Sequence, residues 1–301
     1  MQSAFEHLLS TPKKPQRVVV VGAAGFVGNA IAARMERDGV SLLRVSRKQV
    51  DLLATDAERR LVDLLQSGDA VVIAAARAPC KDADMLVDNM KMARVLARAL
   101  SSVEVSHVVN ISSDAVYADS TEPLTESSCA SPSSLHGVMH LAREVLLQNE
   151  LGTPLAILRP SLLYGARDPH NGYGPNRFRR LAEQGKEIVL FGEGEERRDH
   201  IFIDDVAEIA ARVLYQRSRG TLNIATGSVH SFRDIAEQVS GLSGRSVAIR
   251  TTARSGPMPH NGYRAFDIAT CHSAFPDFSY TQLQDGLAKA RIAMNEKDRC
   301  G

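Results

Sequence analysis

Three glycines, two histidines and a serine–aspartate pair carry the chemistry open to this sequence. Gly22, Gly25 and Gly28 follow the run Val18-Val19-Val20-Val21 and lead into a helical pattern from Asn29 to Arg37. Strand, glycine turn and helix together lay a pyrophosphate against backbone N–H groups at a helix N-terminus. Gly22 permits the tight turn, Gly25 admits the phosphates, and Gly28 lets the helix pack on the strand. His136 and His140 lie four apart and so share one helix face. An imidazole titrates near neutrality, which suits proton transfer, and two close together resist double protonation and titrate as a pair. The same spacing serves metal ions, but no third ligand stands at a useful spacing, and no metal is expected.

The elements that must position these groups follow from the apolar pattern. Four β-branched residues at 18–21 make a strand buried on both faces. Further strands are predicted at Ser41–Ser46, at a short run ending near Asp51-Leu52, at Asp69–Ala76 and at His107–Ser112. The run Ala83–Leu100 repeats apolar residues at helical spacing, and Leu155–Leu158 forms a strand closing on Arg159-Pro160. Alternation of this kind requires a parallel sheet with crossover helices. From Gly165 the composition turns to Gly, Pro, Asn and Arg, marking a loop-rich lobe that includes a helix at Ser231–Leu242 and the segment Arg264–Phe278. Thr221–Ile224 reads as a strand returning to the main sheet. The expectation is an α/β protein with a Rossmann doubly wound parallel sheet and a smaller substrate lobe. An arm covers residues 1–16, the dinucleotide-binding domain 17–165 with 201–226 returning to it, and the lobe 166–200 and 227–301.

Composition narrows the partners. The 301 residues are 44% hydrophobic and 24% charged, as in ordinary soluble domains, and they can bury a full core. A net charge of +1 gives no reason to expect nucleic acid or an anionic membrane. No apolar run approaches the ~20 residues that span a bilayer, and Met1–Gln16 does not read as a signal peptide. Cys80, Cys129, Cys271 and Cys300 show no paired spacing, which points to free thiols in a reducing cytoplasm. The glycosylation triplet Asn110-Ile111-Ser112 lies in an apolar strand and is discounted.

In this order the motifs resemble the extended short-chain dehydrogenase/reductase superfamily, in its nucleotide-sugar epimerase, dehydratase and reductase branch, over roughly residues 17–290. Gly22-x-x-Gly25-x-x-Gly28 has that branch's spacing. Ser112-Ser113-Asp114-Ala115-Val116-Tyr117, Arg159-Pro160 with Tyr164-Gly165, Arg198–Val206 and Arg264-x-x-Asp267 are similar to its later motifs. The resemblance places His136 and His140 where the branch carries a catalytic tyrosine and lysine. It implies that His136 exchanges a proton with the sugar hydroxyl, that His140 bonds the nicotinamide ribose, and that Ser113 bonds the sugar oxygen while Asp114 supplies or relays a proton. It also places Asp51 as the adenine-amino acceptor and Asn89 behind the nicotinamide. Phe26, Val27, Ala74, Ala75 and Ala76 complete the implied cofactor set. Arg198 and Arg264 match diphosphate-binding positions, where a guanidinium fork suits the oxygens; Tyr164, Asn176 and Arg177 complete the implied substrate set.

Cofactor choice can be read from charge. An acidic residue ending the second strand would bond the adenosine 2′-hydroxyl and repel a 2′-phosphate. Here the chain reads Val45-Ser46-Arg47-Lys48, and Ser46 and Arg47 can hold the phosphate. NADP(H) is therefore expected, with NAD as the other possibility and a solvated basic turn as the plain one. The resulting expectation is hydride transfer at C4 of a nucleotide-activated sugar, by 4-keto reduction or epimerisation. Dehydratases of this branch carry a Glu where this chain has Ala115, which argues against dehydration. The alternatives are a catalytically inactive NADP(H) sensor, or an acid moved to Tyr117, Tyr164 or Tyr173. A homodimer through Ala83–Leu100 and Ser134–Glu150 is also expected, with Leu86, Met90 and Val95 serving either the contact face or the core.

Overall fold

The computed structural model describes residues 4–300, with side chains described through residue 293. The valine run forms β1 (Arg17–Val21), whose four valines are at most 2% exposed, and it turns into α1 (Phe26–Arg37). Then come β2 (Ser41–Val45), α2 (Ala57–Leu64), β3 (Ala70–Ile73), α3 (Ala83–Ser102), β4 (His107–Ile111), α4 (Leu135–Glu150) and β5 (Leu155–Pro160). The second half runs through β6 (Leu162–Tyr164), α5 (Pro175–Glu183), β7 (Ile188–Phe191), β8 (Arg197–Phe202), α6 (Ile203–Tyr215), β9 (Gly220–Ile224), β10 (Val229–Ser231), α7 (Phe232–Ser243), β11 (Ile249–Thr252), β12 (Tyr263–Arg264), α8 (Ala269–Ala274) and α9 (Leu283–Cys300).

Six strands pair in parallel in the order β2-β1-β3-β4-β5-β9, a Rossmann doubly wound sheet. Val18 and Val20 point to one face, where α1 and α6 cover them, and Val19 and Val21 to the other, under α2, α3 and α4. This alternation across the pleat is why all four positions must be apolar. The chain winds outward to β2 and then crosses to β3, so the order reverses between β1 and β3. That switch point opens a crevice at the strands' carboxyl ends, where such sheets bind ligands.

The short strand expected at Asp51-Leu52 does not form. Val50 and Leu52 are buried, but the backbone there makes successive turns, with Val50 N–H bonded to Ser46 O and Ala54 N–H to Asp51 O. The arm is pinned: Glu6 exchanges backbone bonds with Arg219, and the His7 ring contacts Ser218 Oγ and Ala274 O. Outside the main sheet, β8 pairs with β6, β10 and β12, and β7 pairs with β11. Cys80, Cys129 and Cys271 are free thiols; the Cys300 side chain lies outside the described residues. Among the described residues no helix is long and apolar enough to cross a membrane.

One core residue sets an acid limit on stability. His107, 1% exposed, contacts Ser218 O through Nε2 at 2.6 Å, and burial pushes its pKa down to about 4. The unfolded chain takes up this proton near pH 6.5, so the stabilisation is full above that pH and is lost as pH falls toward 4. The loss is on the order of 3 kcal/mol at roughly 1.4 kcal/mol per pH unit. Urea midpoints across this window should fall in the wild type and flatten in His107→Gln, which keeps a donor for Ser218; equal slopes would refute the assignment.

Candidate active site

The crevice begins at Gly22, whose φ is +92° and where a Cβ would lie 2.5 Å from Ala75 N. Only glycine brings this turn so close to the end of β3. A Cβ at Gly28 would overlap Gly22 O, so the helix packs on the turn because both residues lack side chains. Gly25 is the N-cap of α1 and no side chain caps that helix. The first-turn N–H groups, those of Phe26 and Val27 among them, have no intrahelical acceptor and are available to an anion.

The cleft so formed measures about 440 Å³. It gathers Gly22, Gly25, Ser46, Arg47, Asp51 and Ala74–Ala76, from turns distant in sequence. Arg47 and Lys48 are exposed, while the Ser46 hydroxyl is held by Gln49 Oε1. One Asp51 oxygen accepts Leu53 N–H at 3.1 Å. These residues fit a dinucleotide: a glycine cradle for phosphate, a basic turn, and an apolar wall from Val50, Leu52, Leu53 and Met92. The wall and Arg77 escaped the sequence reading; Arg77 adjoins the alanine run, which was the available signal.

Asn89 does not reach this cleft as expected. It is buried, accepts Arg77 N–H at 2.9 Å and donates to the carbonyls of Arg77 and Met85. Its hydrogen bonds fasten the cleft wall at Arg77.

The histidine pair stands on α4, which Ser134 caps by accepting Gly137 N–H at 3.2 Å. A Cβ at Gly137 would collide with Ala115 O, so this glycine lets α4 press against the 3-10 turn Asp114–Val116. The His136 and His140 ring centroids are 4.7 Å apart at 87°. Cys80 N–H donates to His136 Nδ1 at 3.4 Å, and Arg143 donates to His140 Nδ1 at 3.3 Å. Arg143 also donates to Ala75 O in the cleft wall. Burial holds His136 below the ordinary imidazole range; Asp114 partly offsets this, while Arg143 and His170 add to it. Burial, Arg143 and His136 hold His140 well below that range. Both rings are neutral at pH 7. Arg143, brought down to about 10 by burial, keeps its charge.

Several expected site residues are engaged within the protein. Ser113 Oγ accepts Ala115 N–H at 3.1 Å and sits half-buried at the turn. Asp114 is ion-paired with Arg264 Nε at 2.7 Å, which engages one of its carboxylate oxygens. The Arg264 side chain is 2% exposed and also faces Asp119 at 3.6 Å, so its fork is engaged within the protein in this structure. Arg198 pairs with Glu196 at 2.7 Å, and Glu196 also holds Arg254 at 3.4 Å. Arg254 and His260 were not foreseen; His260 contacts Asp119 at 2.5 Å and Arg264 at 3.1 Å. Tyr164 is 1% exposed against Phe202, and a Cβ at Gly286 would collide with its hydroxyl. Asn176 is buried, its amide shared among Gly165 N–H, Leu163 O and Asp168. Neither presents a side chain to a substrate, whereas Arg177 is exposed on the first turn of α5. Tyr117 is buried too: Arg159 donates to its hydroxyl at 2.9 Å, and burial pushes it up to about 12. The Tyr173 hydroxyl accepts Phe191 N–H at 3.0 Å.

A parallel sheet with this strand order and a glycine cradle at its switch point defines an α/β dinucleotide-binding protein. Residues 18–225 match the model of the NAD dependent epimerase/dehydratase family, and the chain belongs to that family. It is 26% identical to the dTDP-4-dehydro-6-deoxy-D-allose reductase of Streptomyces bikiniensis, over 77% of this chain and 83% of that one. It is 28% identical to the putative GDP-L-fucose synthase 2 of Oryza sativa subsp. japonica, over 77% and 74%. Its fold matches that of the Thermus thermophilus UDP-glucose 4-epimerase in complex with NAD, with a TM-score of 0.81 at 22% identity over 93% and 99% of the chains.

Proposed function

We propose that this chain is an NADP(H)-dependent oxidoreductase that acts on a nucleotide-activated sugar by hydride transfer at C4, with His136 as the proton-exchanging group. The observation that carries this reading is Arg143, which donates both to Ala75 O in the cleft wall and to His140. The imidazole pair is thereby anchored to the cleft that fits a dinucleotide. A bound nicotinamide supplies the hydride. Gly22, Gly25 and the first turn of α1 hold its pyrophosphate, and Asp51 accepts from the adenine. His140, neutral and buried, bonds the ribose, while half-buried His136 and Ser113 meet the sugar oxygen. The reductase and synthase relatives support a reducing direction.

Arg47 supports the NADP(H) choice. Wild-type protein should bind NADPH more tightly than NADH, and Arg47→Ala should remove most of that difference by weakening NADPH alone, by about tenfold for a charge-assisted phosphate contact of 1.5–3 kcal/mol less screening. Equal affinities in the wild type would exclude the assignment.

The function itself is tested by NMR-monitored turnover of nucleotide sugars and 4-keto nucleotide sugars with either cofactor, wild type against His136→Phe. Wild-type turnover should fall by roughly 10²–10⁴-fold in the variant, the range for a lost acid/base. Undiminished turnover would remove His136 from the mechanism; tight NADPH binding with no turnover by the wild type would favour the sensor.

The reading extends to assembly and organisation. Residues 17–165 with 201–226 form the cofactor half, 166–200 and 227–301 the substrate lobe, and the protein works in the cytoplasm. Exposed Val87 on α3 and Leu135, Val138 and Val145 on α4 support a homodimer face. Val95, one of the residues open to that face or the core, packs half-buried against the core. A monomer in sedimentation velocity would remove the dimer.

A further inference from the structure

Arg143 is 3% exposed, one turn beyond His140 on α4. It donates to Ala75 O at 3.0 Å and to Ile111 O, joining the carboxyl-end regions of β3 and β4. Its Nε is buried without a hydrogen-bond partner among the described residues. The adjacent carboxylate, Glu144, is committed to Arg159 at 2.5 Å. A buried cation is thus held by carbonyls and aimed at an imidazole. Guanidinium groups donate and never accept, so His140 Nδ1 must accept, and the single proton of the neutral ring sits on Nε2. The Cys80 N–H, from the connection between β3 and α3, imposes the same tautomer on His136.

We propose that Arg143 is a positioning residue that locks His140 as its Nε2–H tautomer, so that this imidazole meets the ligand as an N–H donor and not as a free base. The proposal rests on the reading of His136 as the proton-exchanging group and of His140 as the ribose ligand beside it. A fixed donor at His140 orients the nicotinamide ribose, and the N–H of His136 beside it faces the carbonyl oxygen that gains negative charge in the reducing direction. The titratable and charged groups that face the pair are Arg143 and each imidazole on the other from α4, Asp114 from the 3-10 turn, and His170 from the loop before α5. Asp114 is neutralised by Arg264. Arg143 is therefore the cation whose loss most changes His140.

The test is ¹⁵N-histidine NMR of the full chain with NADP⁺ added, comparing wild type, Arg143→Lys and Arg143→Met, alongside steady-state kinetics. Wild-type His140 should show the Nε2–H pattern at pH 7 and stay neutral well into the acid range. Arg143→Lys keeps the charge and a donor and should keep the pattern. Arg143→Met should admit the Nδ1–H tautomer, raise the His140 titration, and lower kcat by about tenfold with little change in KM. An Nδ1–H His140 in the wild type, or an unchanged tautomer and titration in Arg143→Met, would overturn the proposal. Should Arg143→Met fail to fold, the wild-type tautomer alone decides. The expected tautomers in a wild type that turns over no nucleotide sugar would sink the functional reading and leave this one standing.

Discussion

Arg159→Met is expected to lower the unfolding free energy by roughly 3–5 kcal/mol, the cost of leaving a buried charge without its partner. The Arg159 side chain is 1% exposed and that of Glu144 2%. Arg159 donates to both carboxylate oxygens, at 3.0 and 2.5 Å, and to the Tyr117 hydroxyl at 2.9 Å. The Ser112 hydroxyl donates to the same carboxylate. The network ties β5 to α4 and to the segment that carries Ser113 and Asp114, so its loss also loosens the site. Methionine fills the volume but leaves Glu144 charged and unpaired. The double variant Arg159→Met/Glu144→Leu removes both charges and should be more stable than Arg159→Met alone. Urea denaturation of the two variants measures this. An Arg159→Met protein within about 1 kcal/mol of wild type would mean that the pair holds little, as surface pairs do.

The glycine cradle carries the second large effect. Gly22→Ala puts a Cβ 2.5 Å from Ala75 N at a φ of +92°, so the turn must move off β3. Strain of about 1–3 kcal/mol opposes the binding-competent geometry, and NADPH affinity should fall roughly 10–100-fold. Gly25→Ala separates folding from binding. Its φ is −76° and a Cβ there meets only Gly22 O at 3.3 Å. That variant should keep its thermal midpoint within a few degrees yet bind NADPH more weakly, because the methyl stands where phosphate would approach backbone. Calorimetric titration beside thermal melts reads both quantities. Unimpaired NADPH binding by Gly25→Ala would place the pyrophosphate elsewhere.

The first half of the fold was legible because its signals are local. Val18–Val21 followed by three spaced glycines permits one geometry, and the structure forms β1, turn and α1 there. The histidines were legible for the same reason: four residues on a helix fix a shared face. What failed was set by contacts far apart in sequence. Val50 and Leu52 alternate like a strand, yet they are buried by turns under the cleft. Arg264 has the residue type of a diphosphate ligand, but Asp114, 150 residues earlier, consumes it. Tyr164 and Asn176 sit in motif positions, and only tertiary packing reveals them as buried. Nothing local in the sequence says that the Arg143 guanidinium lies between β3, β4 and His140. The pair β7 and β11, four residues each, is too short to stand out by pattern.

The central claim is hydride transfer between a nicotinamide held in the glycine cleft and C4 of a nucleotide sugar. The most direct measurement incubates the protein with NADPH deuterated at C4 of its nicotinamide, using each epimer in turn, and a panel of 4-keto nucleotide sugars, then reads the products by NMR. The account predicts deuterium at the sugar C4 from one epimer only, and its loss in His136→Phe. Tight NADPH binding with no deuterium in any sugar would contradict the account and leave a nucleotide-binding protein without this chemistry.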